Sequence, residues 1–131
     1  MPEDTAATER IAVDAVMAIE RDLGYEPTEM PHFHPGYDIL SKDPVKGELR
    51  FIEVKGREKG APNFTVTKTE ILTALNKPEA FILAMVSVDR GAARDVRYVR
   101  RPFVGAEETF FDTTSVDYDW NKLFGRGEEP K

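Results

Sequence analysis

Hydrophobic residues follow two different rhythms along this chain. Between Thr5 and Leu23, the residues Ala12, Val16, Ile19 and Leu23 recur at spacings of three and four. That spacing predicts an amphipathic helix with one apolar stripe. Val13, Met17 and Glu20 lie beside the stripe, so Glu20 is expected at the edge of the buried face. Gly24 follows, where a helix C-terminus favours glycine. The segment "YEPTEMPHFHPG" then carries three prolines and a glycine and reads as a loop.

Alternation takes over next. "YDILS" and "LRFIEVKG" are predicted strands, joined by the turn "KDPVKGE". In the second, Leu49, Phe51, Glu53 and Lys55 share one face, while Arg50, Ile52 and Val54 share the other. "GREKGAPN" reads as a flexible connection and "FTVT" as a short extended piece. Thr67 and Glu70 match a capping box that opens a helix through "EILTALNK", which Pro78 closes. "AFILAMVSV" is the apolar run of a strand buried on both faces. "GAARD" reads as a turn and "VRYVRRPF" as a last strand. Residues 105–131 are weakly patterned, with a short helix expected around Tyr118 to Phe124, docked through Trp120, and fraying at the end. The predicted order is α-β-β-α-β-β: an α/β fold with a mixed central sheet flanked by helices. A single domain is expected over 1–131, with its core at about 8–104.

Composition narrows the function. The 131 residues hold 18 basic against 24 acidic side chains, a net charge of −6. A domain that gripped nucleic acid by bulk electrostatics would be basic. Any such role must therefore rest on a local site, on a metal ion that inverts the local charge, or on a larger partner. The absence of cysteine excludes disulfides, thiolate zinc sites and cysteine nucleophiles. No apolar run approaches the roughly 20 residues of a membrane helix, and "MPEDTAATER" is too acidic for a signal peptide, so a cytoplasmic location is expected. There is no phosphate-binding glycine loop, serine elbow or dinucleotide fingerprint.

The chemistry that remains lies on the two predicted strands. Hard cations such as Mg²⁺ or Mn²⁺ take carboxylates, carbonyls and waters. Asp38 and Glu53 supply two carboxylates if their strands are neighbours, and the Val54 carbonyl a third oxygen. Lys55 points to the face of Glu53, where its ammonium can orient a water or a scissile phosphate. Glu20 could reach in from the first helix. A Glu-x-Lys triplet occurs by chance in a chain this long about half the time. Its placement is the informative part, since two charges inside an apolar strand must be paired, metal-bound or open to a cleft. The alternative is a Glu53–Lys55 pair on an exposed sheet edge, with Asp38 simply bordering a turn.

"VMAIERDLGYEP", "GYDILS", "FIEVKGR" and "VTKTEILTAL" together resemble the C-terminal domain of NO VEIN-type proteins, over roughly Ile11 to Phe103. That family is similar to the Mrr-like branch of the PD-(D/E)xK nucleases, whose fold is restriction-endonuclease-like. The resemblance implies Asp38 and Glu53 as metal ligands, Lys55 as the catalytic lysine and Glu20 as the helix glutamate near the metal. It places Thr67 and Glu70 where related nucleases carry polar residues, and it implies attachment to helicase-type or defence proteins.

Other candidates have two readings each. His32 and His34 could bind a metal, but two histidines make no closed zinc site, and solvated loop residues are the plainer account. Arg90, Arg94, Arg97, Arg100 and Arg101 form a basic cluster, either a phosphate-contacting strand or a charged edge that blocks aggregation. Arg57, Lys59, Thr67 and Lys68 join Arg97 and Arg100 as candidate nucleic-acid contacts. Phe110, Phe111, Tyr118, Trp120 and Phe124 suggest either a docking surface for a partner or second copy, or packing over the sheet. The expectation is a Mg²⁺- or Mn²⁺-dependent nuclease acting on DNA. Its rival is a nuclease-like module without catalysis, accessory to a helicase-type partner.

Overall fold

Strand β5 (Phe81–Asp89) is the most thoroughly buried element, as its apolar run predicts. The structure, a computed structural model, describes residues 5–106 and 114–131. Around β5 the chain builds a five-stranded sheet from β1 (Glu26–Glu29), β2 (Ile39–Lys42), β3 (Leu49–Glu58) and β6 (Ala92–Arg100), in the order β1-β2-β3-β5-β6. β3 and β5 are parallel and the other pairs antiparallel, so the sheet is mixed. A second, two-stranded ribbon joins β4 (Asn63–Thr67) to β7 (Ser115–Asp119). Helices α1 (Thr5–Asp22), α2 (Lys68–Asn76) and α3 (Trp120–Phe124) complete the fold.

The alternation of each strand divides the core between the two faces of the sheet. Ile52, Ile82, Ala84, Val86 and Val88 pack against α1 through Ala12 and Val16. On the opposite face Leu83, Met85 and Val99 meet α2, the ribbon and α3, through Ile71, Phe64, Trp120 and Leu123. Helix α1 can lie close to β3 because residue 56 is glycine: a Cβ there would sit 2.6 Å from that of Ala12. The buried row of α1 is Thr8, Ala12, Val16 and Glu20, a straight i,i+4 line along the sheet. Leu23, read as part of the stripe, is 39% exposed.

Three further differences separate expectation from structure. The proline-rich loop contains β1, an edge strand whose polar "EPTE" carries no apolar alternation. "GAARD" is not a free turn, because β6 begins at Ala92 and the turn tightens to Arg90 and Gly91, both with positive φ. The weakly patterned end of the chain supplies β7 and α3, with Trp120 and Leu123 in the core. Its last residues are tied down rather than frayed: Glu128 bridges Tyr98 through both backbone groups, and Arg50 donates to the Lys131 carbonyl oxygen at 2.9 Å. Phe110 and Phe111 lie outside the described residues. Among the described residues no helix is long and apolar enough to cross a membrane.

Candidate active site

β3 outruns β2, and the gap beyond the end of β2 is where the charged residues meet. Asp38 sits one residue before β2, with its amide bonded to the Ile52 carbonyl at 2.9 Å. Its Oδ2 accepts the Val54 amide at 2.8 Å, so the side chain takes the place a continued β2 would have filled. The Val54 carbonyl projects to the same side of β3 as its amide. Glu53 pairs with Leu83 across β3 and β5, on the α2 face, and is 4% exposed. Lys55 lies on that face too, its Nζ 3.4 Å from Glu53 Oε2 and 3.0 Å from Glu70 Oε1.

Glu70 is the residue whose role the sequence concealed. It closes the capping box at the start of α2: its amide bonds to Thr67 Oγ1 and its Oε1 accepts the Thr67 amide at 2.9 Å. The same oxygen accepts the Lys55 ammonium. A helix cap is thus also the clamp that fixes the lysine.

The cleft around these groups has a volume of about 450 Å³ and runs between the N-terminal half of α1 and the β1–β2 hairpin. Five carboxylates line it (Glu9, Glu29, Asp38, Glu53 and Glu70) against two cations, Arg10 and Lys55. Both cations are already paired, Arg10 with Asp14 and Glu29 at 2.8 and 2.7 Å. Burial, then the charge of Asp38, push the Glu53 carboxyl well above the usual carboxylate range, against the pull of Lys55. Burial likewise raises Asp38, opposed by the Val54 amide and Lys55. Burial alone would lower Lys55, but Glu53, Glu70 and Asp38 outweigh it and hold the ammonium above its ordinary value. Glu70 is kept low despite burial, chiefly by Lys55.

Several expected site residues stand elsewhere. Glu20 does not line the cleft; it is on the opposite face of the sheet from Glu53. There its Oε2 accepts from Arg50 at 3.0 Å and from the Tyr98 hydroxyl at 2.6 Å. The carboxylate that α1 does bring to the cleft is Glu9, eleven positions earlier, because only the N-terminal half of the helix borders it. Arg97 and Arg100 are on β6, beyond β5, and fall on opposite faces of that strand. Arg97 is paired with Asp95 and lies over the Phe124 ring; Arg100, beside Arg50, reaches toward the Lys131 carbonyl. Arg57 on β3, Lys59 just beyond its end, Thr67 at the end of β4 and Lys68 at the start of α2 do not line the cleft. His32 and His34, read as loop residues, form part of the wall.

Among the described residues no three His, Asp or Glu side chains converge as a closed metal cage. What the cleft offers is an open set, two carboxylates and a main-chain carbonyl with excess negative charge. That is the partial oxygen coordination from which Mg²⁺ is usually held, the rest coming from water and substrate phosphates. The donor chemistry fits such an ion.

No curated protein matches the sequence. A solved structure of Hjc, a Holliday junction resolvase from Archaeoglobus fulgidus, is similar with a TM-score of 0.59 at 12% identity, covering 92% of this chain and 90% of that one. The bacterial homing endonuclease I-Ssp6803I aligns over 92% of this chain and 84% of its own at 13% identity, with a TM-score of 0.48. The family model described as protein NO VEIN, C-terminal, matches residues 8–99. On a mixed sheet of restriction-endonuclease-like architecture, this chain belongs to the NO VEIN C-terminal family.

Proposed function

We propose that the cleft hydrolyses phosphodiester bonds in DNA with the help of Mg²⁺ or Mn²⁺. One observation carries the reading: Glu53 is buried beside Asp38 and Lys55 with more negative charge around it than its neighbours neutralise. Asp38, Glu53 and the Val54 carbonyl would hold the cation. When bound, it would polarise the phosphoryl oxygens and ease deprotonation of an attacking water. Lys55, held protonated by its carboxylate neighbours, acts as a fixed positive charge that orients the phosphate or the water rather than as a base. Glu70 positions it. With this reading go a cytoplasmic setting and a helicase-type partner or a second copy of the chain.

A second reading has its own support. Lys55 is already satisfied by Glu53 and Glu70, as it would be in a nuclease-like module that binds without cutting. Calorimetric titration of Mn²⁺ into wild type and Asp38→Asn, followed by cleavage assays on DNA and RNA, separates the two. Saturable binding lost in the variant, with metal-dependent cleavage, supports the enzyme. No binding at millimolar metal and no cleavage supports the module.

A further inference from the structure

The loop between β1 and β2 ends in a side chain that the cleft chemistry leaves unused. Phe33 is 86% exposed, while the residues on either side of it, His32 and His34, line the cleft. An exposed aromatic ring is unremarkable on a mobile loop, but this loop is braced. Its ends are closed by the Met30 amide bonded to the Asp38 carbonyl at 2.8 Å. The tip is a turn in which the His34 amide donates to the Pro31 carbonyl at 2.9 Å, and Phe33 occupies its third position. The His34 ring packs edge-on against Tyr37, and Tyr37 against Phe51 of β3. Gly36, at φ +93°, sits so close to α2 that an added Cβ would be 2.5 Å from Thr73 Oγ1. The ring is thus presented by a fixed scaffold, five residues from Asp38, with little ordering left to lose on binding.

Charge points the same way. The five carboxylates of the cleft face two cations that are already paired, so the lining itself adds little of the phosphate attraction that most nucleic-acid binders use. Stacking uses the π-face that every base has, so it is sequence-tolerant and adds affinity beside whatever the backbone contacts supply. We propose that Phe33 stacks on a nucleobase beside the cleft, and that the site takes nucleic acid where a base is already unpaired, in a single strand, loop or junction, in preference to continuous duplex. This rests on the nuclease reading for the kind of ligand, but its test is a binding test.

The probe is an oligonucleotide carrying 2-aminopurine, whose fluorescence is quenched by stacking, presented as a single strand and as a duplex of the same length. Affinity and quenching are measured with wild type, Phe33→Ala and Phe33→Trp, in EDTA and again with Ca²⁺. Phe33 is solvent-exposed, so neither substitution should disturb folding. The expected result is tighter binding of the single strand with quenching by wild type, a loss of roughly ten-fold or more and of the quench in Phe33→Ala, and retention of both in Phe33→Trp. Equal affinity of wild type and Phe33→Ala, preference for duplex, or no binding at all overturns the inference. Cleavage by wild type with unaltered Phe33→Ala binding would leave the nuclease reading standing and remove this one. Stacking without cleavage in Mg²⁺ or Mn²⁺ would do the reverse.

Discussion

Each face of the sheet buries a glutamate, and the two could hardly be treated more differently. On the α1 face Glu20 meets Arg50 and the Tyr98 hydroxyl, with Arg50 capped by the Tyr25 ring 4.1 Å from its centroid. Burial, then the bond to Glu20, raise the Tyr98 hydroxyl far above its ordinary range, so it stays a donor. Glu20 faces Arg50 directly, with Arg100 close by, and its carboxylate is fully buried. On the α2 face Glu53 has Lys55, but it also has Asp38 and Glu70, and the group opens into a cleft. A buried acid matched to a base is part of the fold's architecture; one buried among other acids is a place where a cation lowers the energy. Helix α1 and strand β3 contribute to both, so it is the balance of charge rather than the elements that separates structure from chemistry.

The comparison breaks most visibly at Glu20. Glu20→Ala leaves Arg50 buried without its carboxylate, with only the Lys131 carbonyl and the Tyr25 ring beside it, and should cost about 3–5 kcal/mol in urea unfolding. A loss below about 1 kcal/mol would mean that the α1-face network is not structural. Next comes activity. Glu53→Gln and Lys55→Ala should each reduce Mg²⁺- or Mn²⁺-dependent DNA cleavage by roughly 100-fold or more. Glu20→Gln, assayed where it remains folded, should keep kcat within a factor of about three. Equal losses in all three variants would erase the distinction between the two faces.

Two of the five cleft carboxylates, Asp38 and Glu53, also predict opposite behaviour from the usual acidic group. Glu53 is raised above 4.5 in the folded state, so in the window above that value the native protein holds a proton that the unfolded chain has lost. Stability contributed by that proton falls as pH rises through the window. In metal-free buffer the Tm of wild type should therefore drop relative to Glu53→Gln as pH climbs from 4.5, opening a gap of roughly 5 °C. A constant gap would place the Glu53 proton elsewhere. The smallest effect is at Thr67, offered by the sequence as a nucleic-acid contact and found as a helix cap. Thr67→Ala should lose about 1 kcal/mol of stability, with nucleic-acid affinity unchanged within about two-fold. A large affinity loss with full stability would restore its binding role.

Much of this was legible from local pattern. The strand carrying Glu53 and Lys55, the buried β5 and the Thr67–Glu70 cap all depend on residues within a few positions of one another. β1 escaped because an edge strand with one paired side needs no apolar alternation, and Pro27 disguised it as a loop. β7 alternates only between exposed and half-buried residues, too faint a contrast to read against solvent. Glu70 was visible as a cap but not as the partner of Lys55, since that contact spans 15 residues.

The sequence by itself determined the faces of β3, the burial of β5 and the Ala12–Val16 part of the α1 stripe, because side-chain direction repeats with the period of the backbone. It also determined that Glu53 and Lys55 share a face of one strand. Periodicity is blind to which face of the sheet a helix will cover, and tertiary structure alone decided that α1 lies on the far side from Glu53. That choice sent Glu20 to Arg50 and Tyr98 and brought Glu9 to the cleft. Packing of the sheet against two separate layers sorted the charges, and no stretch of chain short enough to show a pattern contains both layers.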